Sequence, residues 1–269
     1  VRTLKIVLMG RKSWAAKALK YIVEQGHEVL AVVCPSSENE LDHKLGTLED
    51  SAQYYQIPCY RPDQFYFEVE KNKSYYQQTD LIISYLFWEK IKEPLLSLAK
   101  IGCINFHPGP LPDLRGFGVY AFAILKGLKE YGVSAHYVNE EIDTGDIISI
   151  KKFPIEIEET AFSLEKKSQK VMFELFKETI GMFCSEKSIT RHKQEINSGE
   201  YFSRKVFESL KRIQSSDDLE TINKKIRAFW YPPYQGAYIE IEGKKMTLVN
   251  EEVIREVAEI LHNNKIDHN

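Results

Sequence analysis

Short apolar runs alternate with stretches of helical periodicity from the first residues onward, and that alternation limits the fold of this chain more than any other feature. Residues 4–9 and 28–33 read as strands flanking an Ala/Lys/Leu-rich helix over about residues 14–25. Residues 81–84 and 102–106 continue the series, with residues 89–99 as a short crossover, and residues 134–138 and 147–153 bracket an Asp-Thr-Gly-Asp loop. Strands that alternate with helices this way belong to an α/β fold, a Rossmann-like, mostly parallel sheet. A long amphipathic helix follows, because Leu164, Ser168, Val171, Met172, Leu175, Phe176 and Phe183 recur at three- and four-residue spacing.

After about residue 188 the pattern changes. An irregular stretch over residues 194–214 precedes a short helix that Ser215, Ser216, Asp217 and Asp218 can cap and that Lys224, Lys225 and Arg227 can close. Trp230-Tyr231-Pro232-Pro233-Tyr234 follows, then a hairpin over residues 237–249 turning near Gly243, and a last helix from about Glu251. The expected organisation is a catalytic domain over residues 1–188 and a small C-terminal α+β subdomain over residues 189–269.

With 269 residues the chain can bury a full core. A net charge of −3 and a pI near 6.2 supply no bulk field for nucleic acid. Cys34, Cys59, Cys103 and Cys184 show no C-x-x-C spacing, which reads as reduced thiols in a cytoplasmic protein without a structural metal. The apolar run over residues 4–9 is too short for a signal segment or a membrane span.

Two segments carry chemistry: Ile104-Asn105-Phe106-His107-Pro108-Gly109-Pro110-Leu111-Pro112 and Ile142-Asp143-Thr144-Gly145-Asp146. Open α/β sheets bind ligands outside the carboxyl ends of their strands. Asn105 and His107 lie two apart, so both face one site if the strand persists through them. Asp143 can hold the imidazole's tautomer and favour its charged form. Asn105 and protonated His107 would then form an oxyanion hole, with Asp143 helping to move a proton off an attacking amine. Each residue also has a plainer reading, a loop hydrogen-bonder for the histidine and a turn for Asp-Thr-Gly, and it is the combination that argues for catalysis. His136, inside a strand, reads as structural.

Asn105-Phe106-His107-Pro108, Leu111-Pro112-Asp113-Leu114-Arg115-Gly116 and Asp143-Thr144-Gly145-Asp146 together resemble the folate-dependent formyltransferase family over about residues 1–185. The resemblance implies Asn105, His107 and Asp143 as a catalytic trio and 10-formyltetrahydrofolate as formyl donor. It places the pterin between Tyr85-Leu86-Phe87-Trp88 and Asn139-Glu140-Glu141-Ile142, although Phe87 and Trp88 read equally as core. Gly10-Arg11-Lys12-Ser13-Trp14 lacks the later glycines of a dinucleotide fingerprint, so no NAD is implied.

The formyl acceptor is less constrained. Residues 34–50 carry Glu38, Glu40, Asp42, Glu49 and Asp50 against Lys44 alone, whereas the methionyl-tRNA branch resembles a chain with a basic insertion here and a larger C-terminal barrel. Gly199-Glu200-Tyr201-Phe202, Arg227 to Pro233 and Gly236-Ala237 look instead like the sugar-nucleotide N-formyltransferases. That resemblance implies an amino-dideoxy sugar on a dTDP, GDP or UDP carrier, a product bound for lipopolysaccharide O-antigen or another surface glycan, and a homodimer. Trp230, Tyr231 and Tyr234 can stack a base, or simply pack the subdomain; Lys12, Arg115, Arg204, Lys205 and Arg227 can meet a pyrophosphate, or be solvated surface. Gly10, Trp14 and Gly116 beside them complete the candidate acceptor contacts. Methionyl-tRNA formylation and a non-catalytic folate- or nucleotide-sugar-binding role are the competing readings, with formate-releasing hydrolysis a minor third.

Overall fold

Strand β1 (Lys5–Gly10) has its residues buried at 0 % exposure from Ile6 to Met9, which is what a central strand covered on both faces requires. The computed structural model describes residues 2–35, 46–185, 189–195 and 198–266. The strands that follow are β2 (Glu28–Val33), β3 (Cys59–Tyr60), β4 (Leu81–Tyr85), β5 (Gly102–His107), β6 (Leu114–Gly116), β7 (Glu130–Tyr137) and β8 (Ile147–Pro154). Seven of these eight form one sheet in the order β3-β2-β1-β4-β5-β7-β8. The pairs β2/β3, β1/β2, β1/β4 and β4/β5 are parallel, and β7 runs antiparallel to β5. The sheet is therefore mostly parallel, with the reversal placed beside the strand that carries Asn105 and His107.

The chain folds into two compact units, each assembled from three segments. The first comprises Val1–Pro112, Val133–Lys151 and Gln169–Ser198; the second comprises Asp113–Gly132, Lys152–Ser168 and Gly199–Asn269. The last exchange falls between Ser198 and Gly199.

Helices α1 (Lys12–Glu24), α2 (Leu48–Tyr54), α3 (Pro62–Lys71), α4 (Lys73–Tyr76) and α5 (Leu95–Leu98) belong to the first unit. Val7, Met9, Ala31, Val33 and Ile82 from the strands meet Phe65, Val69, Tyr76 and Leu95 from the helices in one apolar cluster. Much of the expected crossover over residues 89–99 is irregular, and only α5 forms. Glu38, Glu40, Asp42 and Lys44 lie outside the described residues.

In the second unit, helix α6 (Val119–Leu125) carries Phe122, stacked on Phe202 at 3.6 Å. The long helix α7 (Ala161–Cys184) contributes residues to both units, and Leu164, Met172, Leu175 and Phe176 on its expected stripe are fully buried. The stretch over residues 194–214, expected to be irregular, contains strand β9 (Glu200–Phe202), parallel to β6, and helix α8 (Arg204–Leu210). Three-residue strands show no period in sequence, and the only helix signal is Ser203, whose hydroxyl caps α8 by accepting from the Val206 amide. Helix α9 (Leu219–Phe229) begins at Asp218, which accepts from the Thr221 amide at 2.8 Å. The hairpin of β10 (Tyr238–Ile241) and β11 (Lys244–Thr247) turns through Glu242 and Gly243, both at positive φ, and helix α10 (Glu251–Ile266) ends the fold.

Lys225 does not close α9. Its Nζ turns to Asp217 at 2.6 Å and to the Arg212 carbonyl at 3.0 Å. The Lys225 hydrogen bond, with a second from the Gln214 amide, holds the Asp217 carboxyl below its ordinary range. A carboxyl depressed in the folded state stabilises the fold above its unfolded value of 3.8 and loses that contribution as pH falls through the lower folded value. Asp217→Asn should therefore melt below the wild type at neutral pH, with the gap closing on acidification through that range. A gap that stays constant between neutral pH and about pH 3 would contradict this.

Candidate functional site

Three neighbouring strands of the first unit present polar side chains in register. Ser84 on β4 stands opposite Asn105 on β5, and Asn105 stands opposite His136 on β7. The Ser84 hydroxyl donates to Asn105 Oδ1 at 2.7 Å. His136 Nδ1 lies 2.8 Å from the Tyr137 carbonyl, an acceptor only, so Nδ1 carries the proton and neutral Nε2 is a lone pair. Asn105 Nδ2 donates to that lone pair at 3.0 Å. Both ends of the Asn105 amide are thus assigned.

His107, two residues along the same face, is 4 % exposed. Its Nδ1 lies 3.5 Å from Asp143 Oδ2, while His136 Nε2 lies 3.6 Å from Asp143 Oδ1. The carboxylate sits between two imidazoles, with its side chain only 10 % exposed. The trio expected from the sequence therefore lies together, and β5 extends through His107 to bring it there.

The aspartate is delivered by a loop under several constraints. Asn139 Oδ1 accepts from the Glu141 amide at 3.1 Å and from the Thr144 hydroxyl at 2.9 Å, an Asx-turn that bends the chain back. Asp143 has φ +56°, a left-handed conformation that Asp and Asn tolerate best among residues with a side chain. At Gly145 an added Cβ would lie 1.8 Å from the Tyr137 carbonyl oxygen. Gln194 Nε2 donates to the carbonyls of Asp143 at 3.0 Å and Gly145 at 2.7 Å, pinning the loop. The proline-rich exit of β5 is held by Ser134, whose hydroxyl donates to the Gly109 carbonyl and accepts from the Leu111 amide.

Ser84, Ser134, His136 and Gln194 were not legible as site residues. His136 is buried, as a structural residue would be, yet it touches both Asn105 and Asp143. The signal was the two-residue spacing of Ser134 and His136, which matches that of Asn105 and His107 across an antiparallel pair. Ser84→Ala leaves Asn105 Oδ1 without its donor, at a cost of about 1–2 kcal/mol. The expected result is a turnover lower by about tenfold with acceptor affinity retained. Unchanged turnover would show that Ser84 does not position the amide.

The candidate pterin contacts are of two kinds. Tyr85 is fully buried, its ring against Phe106 and Phe176, so only its backbone can meet a ligand. Leu86 is at φ +58° and its carbonyl accepts from Arg11 Nε at 3.1 Å. Trp88 and Ile142 are exposed apolar side chains, Phe87 packs on Trp88 at 4.6 Å, and Asn139, Glu140 and Glu141 are exposed. Apolar side chains beside turning backbone suit a flat heterocycle with amide-like edges.

The candidate acceptor contacts divide between the units. In the first, Gly10 has no room for a side chain, Lys12 adopts φ +67°, and Trp14 is half-buried against Phe173. In the second, Arg115 and Gly116 lie on β6, and the guanidinium of exposed Arg204 lies 5.4 Å from the Phe117 ring. Arg227 is half-buried and donates to the Glu159 carbonyl at 3.0 Å, and burial holds its pKa below the usual value. Tyr231 is stacked on exposed Tyr234 at 5.9 Å and donates to Glu165. Burial, and then the negative charge of Glu165, push its phenol well above the ordinary range. Trp230, half-buried, follows α9 as its C-cap. Among the described residues no cluster could hold a metal ion, and no helix is long and apolar enough to cross a membrane.

With this geometry in hand, residues 4–180 match the formyl transferase family model. Methionyl-tRNA formyltransferase of Bacillus velezensis is 31 % identical over 247 residues, covering 90 % of this chain and 76 % of that protein. Among solved structures, WlaRD, a sugar 3N-formyl transferase determined with dTDP and 5-N-formyl-THF, superposes with a TM-score of 0.73 at 25 % identity, covering 93 % of this chain and 88 % of that one. A 4-N formyltransferase from Francisella tularensis gives a TM-score of 0.73 at 26 % identity, with 92 % and 97 % coverage. The N-formyltransferase from Helicobacter canadensis, in complex with folinic acid and dTDP-3-aminofucose, gives 0.70 at 25 % identity, with 93 % and 89 % coverage.

Proposed function

The chain belongs to the formyl transferase family, and on that premise we propose that it moves a formyl group from 10-formyltetrahydrofolate to the amine of a nucleotide-linked amino sugar. The observation that carries this reading is the extent of the structural likeness. It covers 92–93 % of the chain for WlaRD and the Francisella enzyme, well beyond residue 180 where the family model stops.

The donor supplies an activated formyl carbon. As the amine attacks, negative charge develops on the formyl oxygen, and the second N–H of Asn105 and the Nε2–H of protonated His107 are the donors that meet it. Asp143 balances the imidazolium and stands ready to accept the proton that the amine must lose. Since His136 keeps its Nδ1 proton on the Tyr137 carbonyl, its role is to hold Asn105. The attacking amine must arrive neutral, so the rate falls at low pH.

A base with a pyrophosphate suits the second unit's Trp230, Tyr231 and Tyr234 together with Arg115 and Arg204. Arg227, turned to Glu159, would serve by holding that framework. Methionyl-tRNA is the second reading, favoured by the identity of the Bacillus relative. The acidic balance of residues 34–50 speaks against it, because neutralising phosphates dominates tRNA affinity. Calorimetry with dTDP, GDP and UDP, beside a tRNA gel shift at two salt concentrations, separates the two. Tight binding of one nucleoside diphosphate supports the sugar-nucleotide reading, and salt-sensitive tRNA binding without it supports the other.

A further inference from the structure

Cys34 and Cys59 show no motif in sequence, but the parallel β2/β3 pair brings their sulfurs to 3.0 Å, closer than an ordinary sulfur–sulfur contact. Both are thiols. We propose that they form a redox modification site, at which a hydroperoxide reversibly converts the pair to a disulfide.

The surroundings support it. Cys59 is partly exposed and lines an open cleft of about 620 Å³ with Tyr60, Asp63, Gln64, Phe67 and Glu68, so a small oxidant reaches it. Cys34, at 1 % exposure, lies behind it as the resolving partner. Arg61 Nη1 donates to Cys34 Sγ at 3.0 Å and to the Pro35 carbonyl at 2.6 Å, and its Nη2 is clamped by Glu49 at 2.7 and 2.9 Å, so a fixed positive charge faces the sulfurs. The contact between the two sulfurs holds the Cys59 thiol below its usual value and pushes Cys34 up. The other two thiols differ in access to an oxidant. Cys103 and Cys184 are buried, and burial pushes both up.

In the first step the Cys59 thiolate attacks one peroxide oxygen; an S–O bond forms, the O–O bond breaks and hydroxide leaves. In the second, Cys34 attacks the sulfenic sulfur; the S–S bond forms, the S–O bond breaks and water leaves with the proton of Cys34. The two thiols lose two electrons in total, and the peroxide is reduced to water. The bond links residues 25 apart, and closing a loop of that size should raise Tm by roughly 10 °C.

The test uses the full chain without folate, since reduced folates consume oxidant. After hydrogen peroxide treatment, remaining thiols are blocked with N-ethylmaleimide and the protein is digested without reductant. The expected product is a peptide pair joining Cys34 to Cys59, about 2 Da lighter than its two parts and released by dithiothreitol, with Cys103 and Cys184 still alkylated. Cys34→Ser should let dimedone trap a sulfenic acid at Cys59, and Cys59→Ser should leave residue 34 unlabelled. The proposal is overturned if no linked peptide forms in the wild type, or if Cys103 and Cys184 oxidise as fast as the pair.

Discussion

Asp143→Asn is expected to lower turnover by on the order of 10³- to 10⁴-fold while the protein melts within a few degrees of the wild type. Two features make this variant selective. Asp143 sits at φ +56°, and Asn is among the residues that tolerate that conformation, so the backbone is not asked to move. The amide has the carboxylate's shape but not its charge, so under the proposed mechanism a protonated His107 would lose its counter-ion and the amine's proton its acceptor. Asp143→Ala would add left-handed strain to the loss of charge and confuse the two. Steady-state kinetics with a melting curve check the expectation. A tenfold effect or less would mean that the carboxylate between His107 and His136 is architectural.

Gly145→Ala should be nearly as damaging, for a purely steric reason. The added Cβ would overlap the Tyr137 carbonyl oxygen at 1.8 Å, and that oxygen is backbone in a buried strand. The loop must shift by about 1 Å or more, and a displacement of that size at a catalytic group typically costs about 10²-fold in rate. The Gln194 contacts to the Asp143 and Gly145 carbonyls move with it. We expect turnover to fall by about 100-fold and stability by about 1–3 kcal/mol, the usual range for overpacking. Activity within twofold of the wild type would show that the loop tolerates displacement.

These two expectations also mark what the sequence disclosed and what it did not. The strands were legible because residues 6–9 and 29–33 are continuous apolar runs, and the pairing of Asn105 with His107 because two-residue spacing before a proline-rich exit is a local pattern. The partners of those residues were not, since Ser84, His136 and Gln194 reach the site through register between strands and through a returning segment. Register depends on pairing between residues far apart in sequence, which no local window reports. The same limit hid β9, whose partner β6 lies more than eighty residues earlier, and the approach of Cys34 to Cys59.

The most direct test of the central claim follows the formyl group itself. The protein is incubated with 10-formyltetrahydrofolate labelled at the formyl carbon, with dTDP-, GDP- and UDP-linked amino sugars and methionyl-tRNA supplied separately, and both tetrahydrofolate and labelled product are followed. Acceptor-dependent tetrahydrofolate release is expected, with the label recovered as an amide on the sugar of one nucleotide series. Label appearing on methionyl-tRNA in preference to every sugar, or as free formate at the same rate with and without acceptor, would contradict it.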